Sequence, residues 1–573
     1  MNNMSRYLVG KASDPSFWKK VREDGCYERF RNELFSMWRD HCEGKDTQAL
    51  IYSDFRLFFT TGDRAVYEKK YFSRRLAMDC AALLSLVCPE NDGYLAKLQD
   101  VVWCICDEYT WCLPAHQRQN GRADSTVIDL FAAETGFALA EILTMLGDRL
   151  DPVIRDRISV EIRRRIIGPF TSVENYGWWE RGTNNWTAVC SGSVACTAML
   201  TDPDLARALI PRFERSMECF LSGFSGEGIC YEGAGYWCYG FGFFTVYADM
   251  LRRFTGGKID HFKDPKVKKI AAFHQKIFLS GRSTASFSDG GVYQSYHLGL
   301  QHYLKKEYPD VISVLPPSMS YNCDGCGRFC LHVRSATWLD PDILKDSEDA
   351  APGPAEYFFP EAGWLIKRTA EYGFAAKGGT NDEPHNHNDA GSFIFAAGGH
   401  HALTDLGSGR YCRQYFEPEN RYSFTECSSR GHSVPIVGGS FQKPGREFAA
   451  ADVSFEGGVL SMDIAPAYGV PALKKLIRRF SSAERGITVA DRFDFEAGKE
   501  EAVTERFVTR TEPVISDGKV SVGGAVMSGW TSSEGPFVAS EDISSGRCWF
   551  IDFELPAGTA DFSVKITVAG DTL

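Results

Sequence analysis

The sequence predicts a multidomain α + β protein in which helices come first and strands afterwards. Three observations carry this expectation. The chain has 573 residues, more than one hydrophobic core ordinarily serves. Its first half carries apolar residues at helical spacing, and its second half alternates with a period of two. Helices segregated from strands imply separate layers or domains, whereas a parallel βαβ sheet would interleave them.

The helical reading rests on particular runs. Leu76, Cys80, Leu83, Leu84 and Val87 recur on one helical face, and Leu139, Ile142, Leu143 and Leu146 follow the i, i+3, i+4, i+7 pattern, with Gly147 as a stop. Similar amphipathic stretches continue to about residue 310. The strand reading rests on Ile487, Val489, Phe493 and Phe495, on Trp549, Ile551, Phe553 and Leu555, and on Phe562, Val564, Ile566 and Val568. Val459 to Ile464 alternates as well, and Gly, Ser and Asp turns separate these runs. The acidic, Pro-rich stretch DPDILKDSEDAAPGP reads as a linker. The expected division is a helical domain over 1–330, a linker over 331–355 and a strand domain over 356–573.

Hydrophobic residues make up 44% and charged residues 24%, the balance of an ordinary globular protein. The net charge of −12 argues against a general nucleic-acid binder. An anionic substrate needs only a locally basic cleft. The first twenty residues carry no apolar leader, and no apolar run is long enough to span a membrane. The expectation is a cytoplasmic protein with reduced thiols among its 18 Cys, or a periplasmic one if a leader has been removed.

Several constellations carry chemistry. Pro384-His385-Asn386-His387-Asn388-Asp389 is followed by Asp405 and His432. His387, Asp405 and His432 offer three N/O ligands for a zinc-like ion, which leaves His385 beside it for proton transfer. The same residues equally compose a polar loop without metal. Thr183-Asn184-Asn185-Trp186 sits at a helix start. Its amides suit a carboxylate and its enolate-like form, although the motif alone reads first as a helix cap before core aromatics. In Tyr231-Glu232-Gly233-Ala234-Gly235-Tyr236-Trp237-Cys238-Tyr239-Gly240, the phenols of Tyr236 and Tyr239 are i and i+3. They would share a helical face, either as acid–base groups or as a core stripe. Cys323, Cys326, Cys330 and His332 form a compressed pattern with thiolate and imidazole ligands, read as a second zinc site or as free thiols. Glu108, Trp111 and His116 mix aromatic and polar groups as a sugar cleft does, and as helix-end packing also does. Arg181, Lys377, Arg410, Arg413, Arg421 and Arg430 are the basic side chains near these motifs.

Taken in order, TNNW, YEGAGYWCYG, PHNHNDAGSF, TDLGSGRY and GHSVP resemble the heparinase II/III-like polysaccharide lyases, a group that includes some alginate and broad glycosaminoglycan lyases. The resemblance spans from about residue 70 to the C-terminus. It implies an incomplete (α/α) toroid followed by an antiparallel β-sandwich. It further implies that Asn185, with Asn184 as the alternative, neutralises a uronate carboxylate. The catalytic tyrosine is then Tyr239 by its distance from Asn185, with Tyr236 as its competitor, and His385 is the catalytic histidine. His387, Asp405 and His432 would bind one divalent metal, zinc first and manganese or calcium as alternatives. Trp186, Glu232, Trp111, His116, Arg410 and Arg421 would line the substrate. Heparinase II-like members carry a His in the first motif. Here Asn185 is followed by Trp186, which resembles heparinase III-like or other members more.

The implied reaction is β-elimination on uronic-acid-containing glycans, giving a 4,5-unsaturated uronate, with an anionic oligosaccharide or polysaccharide as partner and no nucleic acid or membrane. Heparan-, chondroitin- or hyaluronan-type fragments come first as substrates and alginate oligomers second. The rivals are an (α/α)-barrel glycoside hydrolase, pairing Glu232 with Asp107 or Glu180, and a non-catalytic glycan-binding protein.

Overall fold

The computed structural model describes residues 3–117, 124–313, 319–321, 325–347, 352–532 and 534–570. Residue contacts divide the chain into two compact units. The first comprises Met1–Phe224, Trp237–Ala271 and Ser295–Ala350, and the second Ser225–Tyr236, Ala272–Gln294 and Ala351–Leu573.

The first unit is predominantly helical. Helix Ala65–Val87 buries Leu76, Cys80, Leu83, Leu84 and Val87 together, as their spacing predicts. Helix Leu130–Leu146 begins at Asp129, whose carboxylate accepts from the Ala132 amide, and its C-cap is Gly147. Helix Asn185–Thr201 is capped by Asn184, whose side chain accepts from the Trp186 amide. It packs tightly enough that almost every residue from Asn185 to Leu200 is buried.

The second unit is built from antiparallel sheets. Among the described residues the largest has eight strands, in the spatial order Ala451–Glu456, Val459–Asp463, Leu473–Ala483, Gly486–Phe495, Asp561–Val568, Ala525–Ser528, Lys519–Val522 and Val514–Ser516. A five-stranded sheet runs His400–Leu403, Phe393–Ala397, Tyr372–Lys377, Trp364–Arg368, Ala355–Phe359. A four-stranded sheet runs Ile436–Val437, Val503–Thr509, Gly546–Leu555, Phe537–Ile543. Their inner faces meet in one core. Phe393 meets Phe480 at 5.3 Å with tilted rings and Phe507 edge-to-face at 6.0 Å, and Phe374 meets Phe480 at 5.4 Å. Ile487, Val489, Phe493, Ile551, Phe553, Leu555, Phe562, Val564 and Ile566 line the same core. The alternating runs are therefore half-buried strands of a sandwich.

The division differs from the sequence expectation in two ways. The expected linker over 331–355 begins inside helix Phe329–Thr337, whose residues are all buried, because its Phe329, Leu331 and Val333 are apolar core residues. Residues 348–351 of that stretch lie outside the described residues. In addition, Ser225–Tyr236 and Ala272–Gln294, both within the expected helical domain, belong by their contacts to the strand-rich unit. No helix among the described residues is long and apolar enough to cross a membrane.

Candidate active site and metal centre

The strand-rich unit gathers most of the expected chemistry. The loop Pro384–Asp389 enters strand Phe393–Ala397, and His385 holds a left-handed backbone, with φ of 57°. That conformation is uncommon for a residue with a Cβ and requires support from its surroundings. The support is visible. Asp389 pairs with buried Lys377 at 2.7 Å, Asn388 donates its amide to the Cys427 carbonyl at 2.9 Å, and the Arg421 Nε donates to the Asn386 carbonyl at 3.0 Å. Fully buried Arg478 ties the neighbouring loops to the sheet. It pairs with Asp491 at 2.6 Å and donates to the carbonyls of Ser433 and Gly391 at 2.7 and 3.1 Å.

His387, Asp405 and His432 are each fully buried, and one ligand atom from each lies within 4.8 Å of the others. His432 Nδ1 and Asp405 Oδ2 pair at 3.3 Å, while His387 Nδ1, 4.0 Å from Asp405 Oδ1, makes no hydrogen bond. A buried imidazole nitrogen left in that way beside a carboxylate is costly without an occupant. Their remaining atoms are fixed from behind: His387 Nε2 meets Asp289 Oδ1 at 3.1 Å, His432 Nε2 meets the Glu426 carbonyl at 3.0 Å, and the Gly407 amide donates to Asp405 Oδ1 at 2.8 Å. Metal-binding histidines are usually held from behind in this way. Burial alone would raise the Asp405 carboxyl, but His432 and His387 outweigh it and hold it low. Burial alone would hold His387 neutral, but Asp289 and Cys427 outweigh it and push its pKa up to about 10. The donor set and its anionic surroundings fit a divalent cation.

Beside this triad stands a phenol–imidazole pair. Tyr236 and His385 stack with ring centroids 4.2 Å apart. The Tyr236 hydroxyl meets the Tyr411 hydroxyl at 2.8 Å. His385 Nδ1 lies 2.6 Å from Asp289 Oδ2, and its Nε2 lies 3.8 Å from Glu232 Oε2. Tyr411 and Tyr415 also donate to Asp289, at 2.9 and 2.5 Å. Arg421 approaches the same carboxylate at 3.6 Å. Burial alone would raise the Asp289 carboxyl, but hydrogen bonds from His385 and His387 outweigh it and hold it well below the usual carboxylate range.

Tyr239 has different company, in the helical unit. Its hydroxyl donates to Glu134, which also pairs with Arg328 at 2.7 Å, and the Arg328 guanidinium lies 3.5 Å from the Tyr239 ring centre. Burial, above all, pushes the Tyr239 phenol well up, with Glu134 adding to the shift and Arg328 opposing it. Tyr236 and Tyr239 therefore do not share a face as their i, i+3 spacing predicts. Tyr236 ends a helical turn, and Trp237–Phe241 forms a π-helical turn that changes the phase of the helix.

In the helical unit Asn185 is buried at 2% exposure. A Cβ on Gly240 would lie 3.1 Å from the Asn185 Cα and Cβ, so glycine there permits a close approach of the two helical segments. Asn184 acts as the helix cap, its side chain accepting from the Trp186 amide. His116 Nδ1 meets Asp129 at 2.7 Å, and its ring edge faces Trp186 at 4.8 Å. Trp186 in turn packs on the exposed Trp178 at 5.2 Å. The substrate-lining expectation for Trp111 is overturned. Its ring is 1% exposed, donates to the Ile105 carbonyl at 2.9 Å and is covered by Arg165. Arg410 is exposed, whereas Arg421 is spent on holding Tyr415, Asn386 and Asp289. Glu180 forms a buried two-point ion pair with Arg212 at 2.7 and 2.8 Å, which occupies the carboxylate that a hydrolase would need free. Cys323 lies outside the described residues, and His332 pairs with Asp79 at 2.9 Å.

Asp289, Tyr411 and Tyr415 were not singled out by the sequence. Asp289 precedes two glycines and reads as a turn residue, and it lies 96 positions from His385.

Residues 351–539 match the family model described as Heparinase II/III-like, C-terminal. The C-terminal region is therefore similar to the C-terminal domain of heparinase II/III-like proteins. Solved structures agree over almost the whole chain. A heparan sulfate lyase HepC mutant from Pedobacter heparinus aligns with a TM-score of 0.60 and 13% identity, covering 99% of this chain and 88% of that one. A heparinase III structure gives 0.58 at 13% identity, covering 100% and 94%. A chondroitin AC lyase from Streptomyces coelicolor A3, in complex with chondroitin sulphate, gives 0.51 at 13% identity, covering 95% and 83%. At such identities these likenesses establish the fold, a helical region followed by antiparallel sheets. No curated protein matches the chain by sequence.

Proposed function

We propose that the protein is a polysaccharide lyase that cleaves uronic-acid-containing glycans by β-elimination, with glycosaminoglycan oligosaccharides as its substrates. The observation that carries this reading is the stacked Tyr236–His385 pair, anchored beside a metal-type triad in a heparinase II/III-like domain. The heparan sulfate and chondroitin lyases among the similar structures support the choice of glycosaminoglycans over alginate.

The reaction makes three demands. The uronate carboxylate must be neutralised so that the C5 proton becomes acidic, a base must remove that proton, and an acid must protonate O4. The C5–H electron pair then forms the C4–C5 double bond as the C4–O4 bond breaks. We assign the first task to the Asn185 amide on the resemblance of its motif. An uncharged donor stabilises the enolate-like form without an ion pair that would trap the ground state. Tyr236 is the acid and, for syn elimination, also the base, and it replaces Tyr239, whose phenol is spent on Glu134. His385 is the base when the epimer presents its proton on the opposite face. A divalent cation held by His387, Asp405 and His432, zinc first, would neutralise the buried charge and fix the loop that carries His385.

The test is a panel of heparan, chondroitin, hyaluronan and alginate oligosaccharides, followed by the ultraviolet absorbance of an unsaturated uronate. Absorbance should grow with a glycosaminoglycan. Cleavage without absorbance would mean hydrolysis, and binding without cleavage a glycan-binding protein. Either result ends the lyase reading.

A further inference from the structure

Resting on the assignment of Tyr236 and His385 as the reacting groups, we propose that Asp289 is the positioning residue of this site. Its single carboxylate sets the tautomer of His385 and aims the hydroxyl of Tyr236 through Tyr411.

The hydrogen-bond arithmetic leads there. An ionised carboxylate only accepts. Asp289 Oδ2 lies 2.6 Å from His385 Nδ1, so that nitrogen carries the proton and Nε2 is left with the lone pair a base requires. The same Oδ2 accepts from Tyr411 at 2.9 Å. The Tyr411 proton is therefore committed to Asp289, and its oxygen must accept from Tyr236 at 2.8 Å. One carboxylate thus dictates the direction of both donors. Its other oxygen accepts from Tyr415 at 2.5 Å and lies 3.1 Å from His387 Nε2. The catalytic pair and a ligand of the metal-type triad consequently hang from one side chain.

The backbone around Asp289 is built for this task. Ser288 holds φ of 61°, and its hydroxyl donates to the Tyr231 carbonyl at 3.0 Å, which fixes the segment that leads to Tyr236. The Ser286 hydroxyl donates to the Asp405 carbonyl at 3.2 Å, which fixes the segment carrying that ligand. Gly233, at φ of 99°, lets the first segment approach. A Cβ there would sit 3.2 Å from the Phe287 carbonyl oxygen and 3.4 Å from Gly290 Cα. Gly407, also left-handed, would meet the Gly290 carbonyl if it carried a side chain. His385 itself sits in a left-handed conformation that a charge-assisted bond to Asp289 helps to hold.

The experiment combines variants with a spectroscopic readout on the metal-loaded protein. Asp289→Asn keeps the shape and loses the charge. It should lower kcat by about 10²-fold or more and leave KM within about threefold, because Asp289 does not touch substrate. In a His385→Ala background the same change should cost clearly less than in the unsubstituted protein, since the share that acts through the imidazole is already lost and only the share through Tyr411 and His387 remains. Tyr411→Phe, which leaves the carboxylate and the triad intact, should lower kcat by about tenfold and serves where Asp289→Asn fails to fold. In the unsubstituted protein the imidazole nitrogen-15 spectrum should assign the proton of neutral His385 to Nδ1. A proton on Nε2, or losses from Asp289→Asn and His385→Ala that simply multiply, would overturn the proposal. So would an inactive His385→Ala variant beside a fully active Asp289→Asn. If His385→Ala were itself fully active on every uronate, this proposal would fall while the lyase reading, with Tyr236 as both acid and base, would stand; if the unsubstituted protein gave no unsaturated product from any uronate, the lyase reading would fall as well, and the two failures are thereby distinguishable.

Discussion

Replacing each tyrosine of the YWCY segment by phenylalanine separates chemistry from folding. Tyr236→Phe removes a half-buried hydroxyl whose described hydrogen bond is to Tyr411. A neutral hydrogen bond of this kind is worth about 1 kcal/mol net, and in a chain of 573 residues that lowers Tm by only about 1 °C. The loss of a general acid costs about 10²–10⁴-fold in rate, roughly 3–5 kcal/mol of barrier. Tyr236→Phe should therefore abolish most turnover and leave the melting curve nearly unchanged. Tyr239→Phe should do the reverse. Its hydroxyl is buried on the Glu134 carboxylate, and a bond to a charged group is worth about 1.5–3 kcal/mol. Melting should drop by about 1–3 °C, more than for Tyr236→Phe, while kcat at a temperature where the variant is folded stays within about threefold. The assay is initial absorbance of unsaturated product, paired with calorimetric melting of the same preparations. A Tyr236→Phe variant with full activity, beside a Tyr239→Phe variant that is folded and dead, would refute the reasoning and move the acid to Tyr239.

Two further perturbations probe the triad and the helical unit. Dialysis against a chelator should lower Tm and activity together, and about one equivalent of zinc should restore both. A cation at a hundred times its Kd contributes about 2.7 kcal/mol, and unchanged melting with no metal uptake by elemental analysis would remove the metal centre. His302 accepts from the Asp340 amide at 2.9 Å, and burial lowers its pKa to about 4. Its folded pKa lies below the unfolded value of about 6.5, so its contribution is full above that pH and is lost as pH falls from about 6.5 toward 4, roughly 3 kcal/mol in all. In denaturant titrations between pH 7 and 5, His302→Asn, whose Oδ1 can accept the same bond, should flatten the pH dependence. Parallel curves for the two proteins would contradict the assignment.

What the sequence made legible is what short-range periodicity controls. Alternation located Gly486–Phe495, Gly546–Leu555 and Asp561–Val568 as strands, because one face of each had to enter a core. The spacing of Leu139, Ile142 and Leu146 located a helix, and Gly147 marked its end. The His387, Asp405 and His432 set was legible because metal-type ligands are few and chemically distinct. Trp111 was misread because an aromatic ring suits a sugar face and a core equally well, and only its neighbours Ile105 and Arg165 decide between them. Tyr239 was preferred over Tyr236 by its distance along the chain from Asn185, a count that carries no information about the neighbours each phenol meets. The π-helical turn at Trp237–Phe241 begins between the two phenols and gives them different neighbours, His385 and Tyr411 for Tyr236 and Glu134 for Tyr239.

Asp289 was illegible for a deeper reason. Its partners His385, His387, Tyr411 and Tyr415 lie between 96 and 126 positions away, and the local string Phe287-Ser288-Asp289-Gly290-Gly291 has the composition of any turn. A turn aspartate ordinarily spends its oxygens on amides a few residues ahead. Here the two glycines remove the side chains that would crowd the turn, and both oxygens are spent on distant imidazoles and phenols. Such a residue is recognised by what it accepts, and that requires the fold. The same logic explains why the site sits on loops held by buried ion pairs. Arg478 on Asp491 and Lys377 on Asp389 contribute little net stability in such positions, yet each admits a single geometry. Elimination by a phenol and an imidazole on one sugar ring needs that geometry more than it needs a few additional kcal/mol.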